Sequence, residues 1–355
     1  MVKWADATDG VRLPKTDEEM WNPPQTAPDR ILRMCNAFKE AKALLSAVEL
    51  DVFTALAEAP LDAGALRAKI KIHKRGARDF FDALVALGLL NRDRHGLYSN
   101  AADSERYLVR GGATYIGGLV NHFNTLGYPQ WALLTRALQT GEAQFGTDGL
   151  YRDIYGDPAA VESFAQRMSG GTLPVATALA AKFPWAQFKT LMDIGCSQGC
   201  LLVTIAHSHP HIAGGGFDLP LLEPVFSRFV RESGLSDRLV FHGGDFLVDR
   251  LPSADVLVMG RVLHNWDLST KRILLKKAFA ALPSGGALIV YERLIDDERR
   301  TNAVGLLASL NMLLLTAGGF DYSAADCFAW MREAGFRDIR TEPLTVDQSM
   351  IVGMK

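Results

Sequence analysis

Between residues 190 and 292 compact apolar runs alternate with amphipathic stretches. The apolar runs are "TLMDIG", "GGGFDL", "LVFHGGDF", "ADVLVMG" and "GALIVYE", and "STKRILLKKAFAAL" is typical of what separates them. Compact apolar strands alternating with helical periodicity are the pattern of a doubly wound, mostly parallel sheet with helices on both faces. In such a sheet ligands collect at the carboxyl ends of the strands. The last two apolar pieces, "FRDIRTEPLT" and "QSMIVGMK", are close enough to pair as an antiparallel hairpin at one edge.

At 355 residues the chain exceeds the usual size of one domain. Residues 1–30 are acidic and dotted with proline, and read as an irregular arm without the basic start and apolar middle of a secretory signal. Residues 31–59 carry helical periodicity and are expected to form buried helices. The order that follows, short helix, turn, longer helix and two extended pieces around "DRHG", is that of a winged helix-turn-helix closing near residue 110. Residues 111–182 read as all helical, with a bend expected at "SGG", residues 169–171, and residues 183–355 hold the sheet.

Lys69, Lys71, Lys74, Arg75 and Arg78 stand where a recognition helix would begin, but a solvated helix face is the simpler reading. A formal charge of −2 gives no general attraction to nucleic acid or to an anionic surface, so neither is expected as a partner. No apolar run approaches the roughly 20 residues that span a bilayer. Four scattered cysteines, with Cys196 and Cys200 off the C-x-x-C spacing, fit neither a disulfide framework nor a zinc site. Reduced thiols, no metal and a cytoplasmic setting are the expectation.

In "LMDIGCSQGCLLV", Gly195 and Gly199 bracket the first strand-to-helix turn, where backbone can approach a ligand and helix N–H groups point outward. The string fails the G-x-G-x-x-G dinucleotide fingerprint. Asp218 follows the second strand and Asp245 the third. One carboxylate can accept both hydroxyls of a ribose, the other an exocyclic amine, with Phe246 offering a face to an adenine ring. Adenosine without pyrophosphate fits this set, and S-adenosylmethionine is the ligand expected.

"MDIGCSQG", "FDLP", "GGDF", "VLHNW", "LPSGGALIVYER" and "TAGGFDYS" occur in the order and spacing of the plant-type and bacterial small-molecule O-methyltransferases, and the chain resembles that family over residues 30–355. The resemblance implies a Rossmann-like class I methyltransferase domain behind an N-terminal winged-helix dimerisation domain, and a homodimer in which each partner helps close the other's site. It assigns Asp193, Gly195, Gly199, Asp218, Leu219, Asp245 and Phe246 to the cofactor. Family members often have glycines where this chain has Cys196 and Ser197, and plant members a lysine four residues before the histidine of "LHNWD". Here Gly260 holds that place, and Arg261 beside it is taken as the contacting residue.

By the same resemblance His264 is the catalytic base. An imidazole can take a proton near neutral pH from a hydroxyl acidified by an aromatic ring. Glu292 in "YER" and Asp321 in "GGFDYS", one methylene shorter than the family glutamate, are its candidate supports, with Glu292 expected to contribute more. Asp321 reads equally well as an acid at a helix N-terminus. The acceptor pocket is assigned to Phe164, Met168, Trp266, Asn311, Met312 and Leu315, with Phe123 and Trp131 as contributors. The implied reaction is methyl transfer to a phenolic hydroxyl of an aromatic small molecule. Methylation of nitrogen or carbon, hydroxylation or decarboxylation on the same fold, and a DNA-binding regulator that senses the cofactor are the alternatives.

Overall fold

The computed structural model describes residues 28–112, 114–144 and 158–355. Most of the expected N-terminal arm, and residues 145–157 of the expected helical block, lie outside that range. The chain divides into two compact units, Met1–Ala113 and Thr114–Lys355.

In the first unit α1 (Asp29–Glu49) and α2 (Val52–Leu56) precede α3 (Ala63–Lys69) and α4 (Lys74–Ala86). The Asp62 carboxylate caps α3 by accepting from the Ala65 N–H, and His73 Nδ1 caps α4 by accepting from the Arg75 N–H. The wing is an antiparallel pair, β1 (Leu90–Arg92) and β2 (Tyr98–Asn100), followed by α5 (Ala102–Leu108). Asp93 ties its turn by accepting from the His95 and Leu97 N–H groups. Phe53, Leu66, Phe81, Leu84, Leu90 and Tyr98 form the core of this winged helix. One expectation fails here. Only Leu45, Ala47 and Val48 of α1 are buried, whereas Ile31, Leu32, Met34 and Phe38 are exposed, because none of the described residues of the unit covers that half of the helix.

The second unit opens with α6 (Gly117–His122), a π turn at Phe123–Gly127, α7 (Tyr128–Trp131) and α8 (Leu134–Thr140). Then α9 runs unbroken over Pro158–Lys182, straight through Ser169–Gly171, where a bend was expected, and with Pro174 inside it. Each helical glycine costs about 1 kcal/mol relative to alanine. Packing of Val175, Ala176 and Leu179 into the core offsets that cost.

Seven strands form one sheet: β3 (Thr190–Ile194), β4 (Ala213–Asp218), β5 (Leu239–Gly243), β6 (Val256–Gly260), β7 (Ala287–Glu292), β8 (Arg337–Pro343) and β9 (Ser349–Met354). Their order is β5-β4-β3-β6-β7-β9-β8, parallel up to β7, with β9 antiparallel to both β7 and β8. The period-2 alternation of strand side chains fills two cores. Leu191, Val256, Val258 and Ile289 face one; Met192, Ile194, Leu257 and Met259 face the other. With both faces covered, no polar alternation is required, and the strands read as solid apolar runs. Covering helices include α10 (Cys200–Ser208), α11 (Glu223–Glu232), α12 (Leu268–Ala281), α13 (Ala303–Leu315) and α14 (Ala324–Ala334). The chain leaves β3 for β4 on one side and returns to β6 on the other, so a crevice opens between the carboxyl ends of β3 and β6.

Candidate active site

The turn from β3 into α10 holds three residues in left-handed backbone: Gly195 at φ 79°, Ser197 at 51° and Gly199 at 87°. A side chain at Gly199 would also bring its Cβ within 2.8 Å of the Phe226 ring. Ser197 tolerates the turn, and its N–H donates to Asp218 Oδ2 at 2.8 Å. Asp218 Oδ1 accepts from the Leu219 N–H at 2.8 Å. The carboxylate is thereby fixed, and each oxygen retains lone-pair capacity for a ligand hydroxyl. Burial pushes its pKa up to about 6, against the pull of those two amides. Asp193 on β3 is pushed up to about 8 by burial and by the Asp218 charge.

Asp245 sits two residues past β5 and accepts from the Leu247 N–H at 2.8 Å. Beside it Phe246 meets Trp266 edge to face, with centroids 5.9 Å apart. At the end of β6, a Cβ on Gly260 would fall 1.9 Å from the Tyr291 ring, so the close approach of that ring requires glycine where plant members often have lysine. Arg261 follows at φ 54°, and its Nη2 donates to Thr172 Oγ1 on α9 at 2.6 Å.

These groups surround a cavity of about 300 Å³. Of the predicted cofactor residues, Asp193, Gly195, Asp218, Leu219, Asp245, Phe246 and Arg261 line it; Gly199 does not, and shapes the turn behind it. Of the predicted acceptor residues, Phe164, Met168 and Trp266 line it. Asn311, Met312 and Leu315 are not part of its lining; they sit on α13, which packs against the His264 turn, and Asn311 Oδ1 accepts from the Trp131 indole at 3.2 Å, while Phe123 is exposed. Sequence reading missed Thr172 and Tyr291 in the lining. Thr172 was detectable, because Phe164, Met168 and Thr172 recur every four residues and share one helix face.

His264 lies in the one-turn 3₁₀ helix Leu263–Asn265 that follows β6; it is not itself part of the cavity lining, but Val262, Asn265 and Trp266 around it are. Its Nδ1 stands 3.3 Å from Asp321 Oδ1 and 3.6 Å from Glu292 Oε2. The His264 N–H donates to Glu292 Oε1 at 3.3 Å. Both acids are 1% exposed. The shorter contact belongs to Asp321, while Glu292, expected to contribute more, has its other oxygen engaged by the His264 backbone N–H. Nor is Asp321 the acid at the head of α14, since Ser323 caps that helix in a capping box with Asp326. Burial pulls the imidazole pKa down, but the charges of Glu292 and Asp321 outweigh it and hold it above the ordinary histidine value. Burial pushes Glu292 up to about 7, with the Asp321 charge adding to it and His264 opposing. One nitrogen and two carboxylate oxygens here lie within 4.8 Å of one another. A shared proton or a cation would both suit that spacing.

The donor set tests well against S-adenosylmethionine. Two buried carboxylates that ionise reluctantly suit a ligand bearing a sulfonium and an ammonium, and the Asp218 and Asp245 carboxylates suit a ribose and an amine. Fold and site together define a class I, S-adenosylmethionine-dependent methyltransferase.

Comparison with known proteins agrees. The O-methyltransferase domain family matches residues 131–337, and the O-methyltransferase dimerisation domain matches residues 32–110. The chain is 42% identical to the tetracenomycin polyketide synthesis 8-O-methyl transferase TcmO of Streptomyces glaucescens, over 92% of this chain and 97% of that one. It is 40% identical to the N,N-dimethyltransferase OxyT of Streptomyces rimosus, over 86% and 90%. The crystal structure of human N-acetylserotonin methyltransferase in complex with SAM superposes with a TM-score of 0.86 at 26% identity, covering 95% of this chain and 99% of that one. The chain belongs to the O-methyltransferase family. Among the described residues no helix is long and apolar enough to cross a membrane.

Proposed function

We propose that this enzyme methylates a phenolic hydroxyl of a polycyclic aromatic small molecule, with His264 as general base. The observation that carries the reading is the His264 Nδ1 set 3.3 Å from Asp321 and 3.6 Å from Glu292. Nδ1–H donates to Asp321 Oδ1, with the Glu292 carboxylate close by as a charge, so the proton stays there and Nε2 keeps the lone pair. Nε2 takes the acceptor's hydroxyl proton, and the imidazolium so formed is stabilised by two buried carboxylates. When bound, S-adenosylmethionine supplies an electrophilic methyl whose bonding pair returns to sulfur as the new O–CH₃ bond forms. Asp193, Asp218, Asp245 and Arg261 would hold it. Phe164, Met168 and Trp266 give the acceptor an apolar wall that excludes water from the developing charges.

The kinship with TcmO supports a polyketide hydroxyl, and that with the N,N-dimethyltransferase OxyT makes an amine acceptor the reading to set against it. The dimerisation domain supports a homodimer, and nucleic acid has no place in this reading. Arg261 and the buried Lys271 already supply positive charge around the two acids, which favours a proton over a metal ion between them. The test is a panel of hydroxylated naphthoates and anthraquinones alongside matched aryl amines, assayed by mass spectrometry with and without EDTA. Methyl transfer to oxygen, unaffected by EDTA and lost by about 10² to 10⁴-fold in His264→Ala, is the expected outcome. Full turnover by His264→Ala overturns the base.

A further inference from the structure

The helix segment "STKRILLKKAFAAL" carries enough charge to look like a solvated face, yet Lys271 within it is 0% exposed. A lysine is almost never buried without partners. Its Nζ donates to the Trp266 carbonyl at 2.7 Å and to the Phe320 carbonyl at 2.9 Å. The ammonium also lies 3.2 Å from the centroid of the Phe320 ring and 5.4 Å from that of Tyr322. The two carbonyls belong to different loops. Trp266 stands two residues after His264, and Phe320 immediately precedes Asp321.

We propose that Lys271 is a positioning residue for the base: it clamps the loop of His264 to the loop of Asp321 and balances the charge of the two acids. This rests on His264 being the base. The charged and titratable groups facing Lys271 are Glu292 on β7, Asp321, Asp267 at the head of α12 and Cys327 on α14, besides the Tyr322 ring. Those facing His264 are Glu292, Asp321 and Arg261. Burial pulls the Lys271 pKa down to about 8 while the acids pull it up, which leaves it charged at neutral pH.

With Glu292 and Asp321 ionised and His264 neutral, Lys271 brings the charge of this group from −2 to −1. The proton taken from the acceptor then brings it to zero. Without the ammonium, a more negative surrounding would hold the imidazole proton to higher pH, so less of the base form would exist at neutrality. The Asp321 loop would also lose its tie. A small displacement of a catalytic group lowers kcat more than it alters KM.

The test compares Lys271→Gln, which keeps a hydrogen-bond donor without the charge, with Lys271→Arg, which keeps the charge. The pKa of His264 is read by ¹⁵N-histidine NMR on the full-length protein, with the resonance assigned by its loss in His264→Gln. Lys271→Gln should raise that pKa by about one unit, and lower kcat about ten-fold at pH 7 with KM little changed. Calorimetry should give both variants the wild-type affinity for S-adenosylmethionine. Lys271→Arg should leave the pKa in place. An unshifted pKa in Lys271→Gln overturns the proposal; should that variant not fold, a shifted pKa in Lys271→Arg does the same. Wild-type turnover by His264→Gln would instead remove the base reading itself, a result separate from either pKa.

Discussion

The two carboxylates at the floor of the cavity set its pH behaviour. Asp193 and Asp218 have folded pKa values of about 8 and about 6, above the roughly 3.9 of an exposed aspartate. A raised pKa makes ionisation costly to the fold. Their contribution to the stability of the unliganded protein is therefore full below about pH 4 and declines as pH rises through about 6 and about 8. A cationic ligand favours the ionised acids, so S-adenosylmethionine should bind more tightly across that same window and release protons as it does. Calorimetry at pH 7 in two buffers of different ionisation enthalpy should give different heats; equal heats would show that these acids do not titrate on binding. Asp218→Asn should weaken binding by about 1.5 to 3 kcal/mol, the scale of lost charge-assisted hydrogen bonds. At the base, Asp321→Asn should lower kcat at least as much as Glu292→Gln, because the shorter contact to Nδ1 is Asp321's. A smaller effect of Asp321→Asn would return the leading role to Glu292.

The elements show where the sequence was legible. The β3-to-β7 alternation could be read because each buried strand is an unbroken apolar run, and Asp218, Asp245 and Glu292 could be placed because each falls at or just past a strand end. Two elements resisted. The single helix α9 was cut at Ser169–Gly171 because local propensity favours a break there, while the packing that keeps it whole lies elsewhere in sequence. Lys271 gave no signal within its amphipathic segment because its partners, Trp266 and Phe320, come from two loops. Gly260 and Tyr291 are paired in the same non-local way across β6 and β7, where the two residues stand in register. Gly260→Ala should therefore overpack the strands and lower stability by about 1 to 3 kcal/mol. Shortening the partner should restore part of the loss, so Gly260→Ala with Tyr291→Leu should be more stable than the two single losses predict. Additive losses in thermal melts would mean the ring does not constrain position 260.

At the scale of the whole molecule, the unfinished feature is the first half of α1. Ile31, Met34 and Phe38 follow one another at three and four residues, which puts them on one helix stripe, and they are 59%, 68% and 53% exposed, with Leu32 beside them at 53%. A stripe of large apolar side chains left in water favours association, and the dimerisation domain matched over residues 32–110 points to a second copy of this chain as the occupant. Such a pair would be isologous, each stripe covering its counterpart. Phe38→Glu should then separate two quantities. Among the described residues the side chain is more than half exposed, so the stability of the isolated chain should change by no more than about 0.5 kcal/mol. A buried aromatic at the centre of an interface contributes about 2 kcal/mol or more to association, so the dimer dissociation constant should rise roughly 30-fold or more. Sedimentation velocity across a dilution series measures the constant directly. A wild type that sediments as a monomer at micromolar concentration, or a Phe38→Glu dimer as tight as the wild type, would place the contact between copies somewhere other than α1.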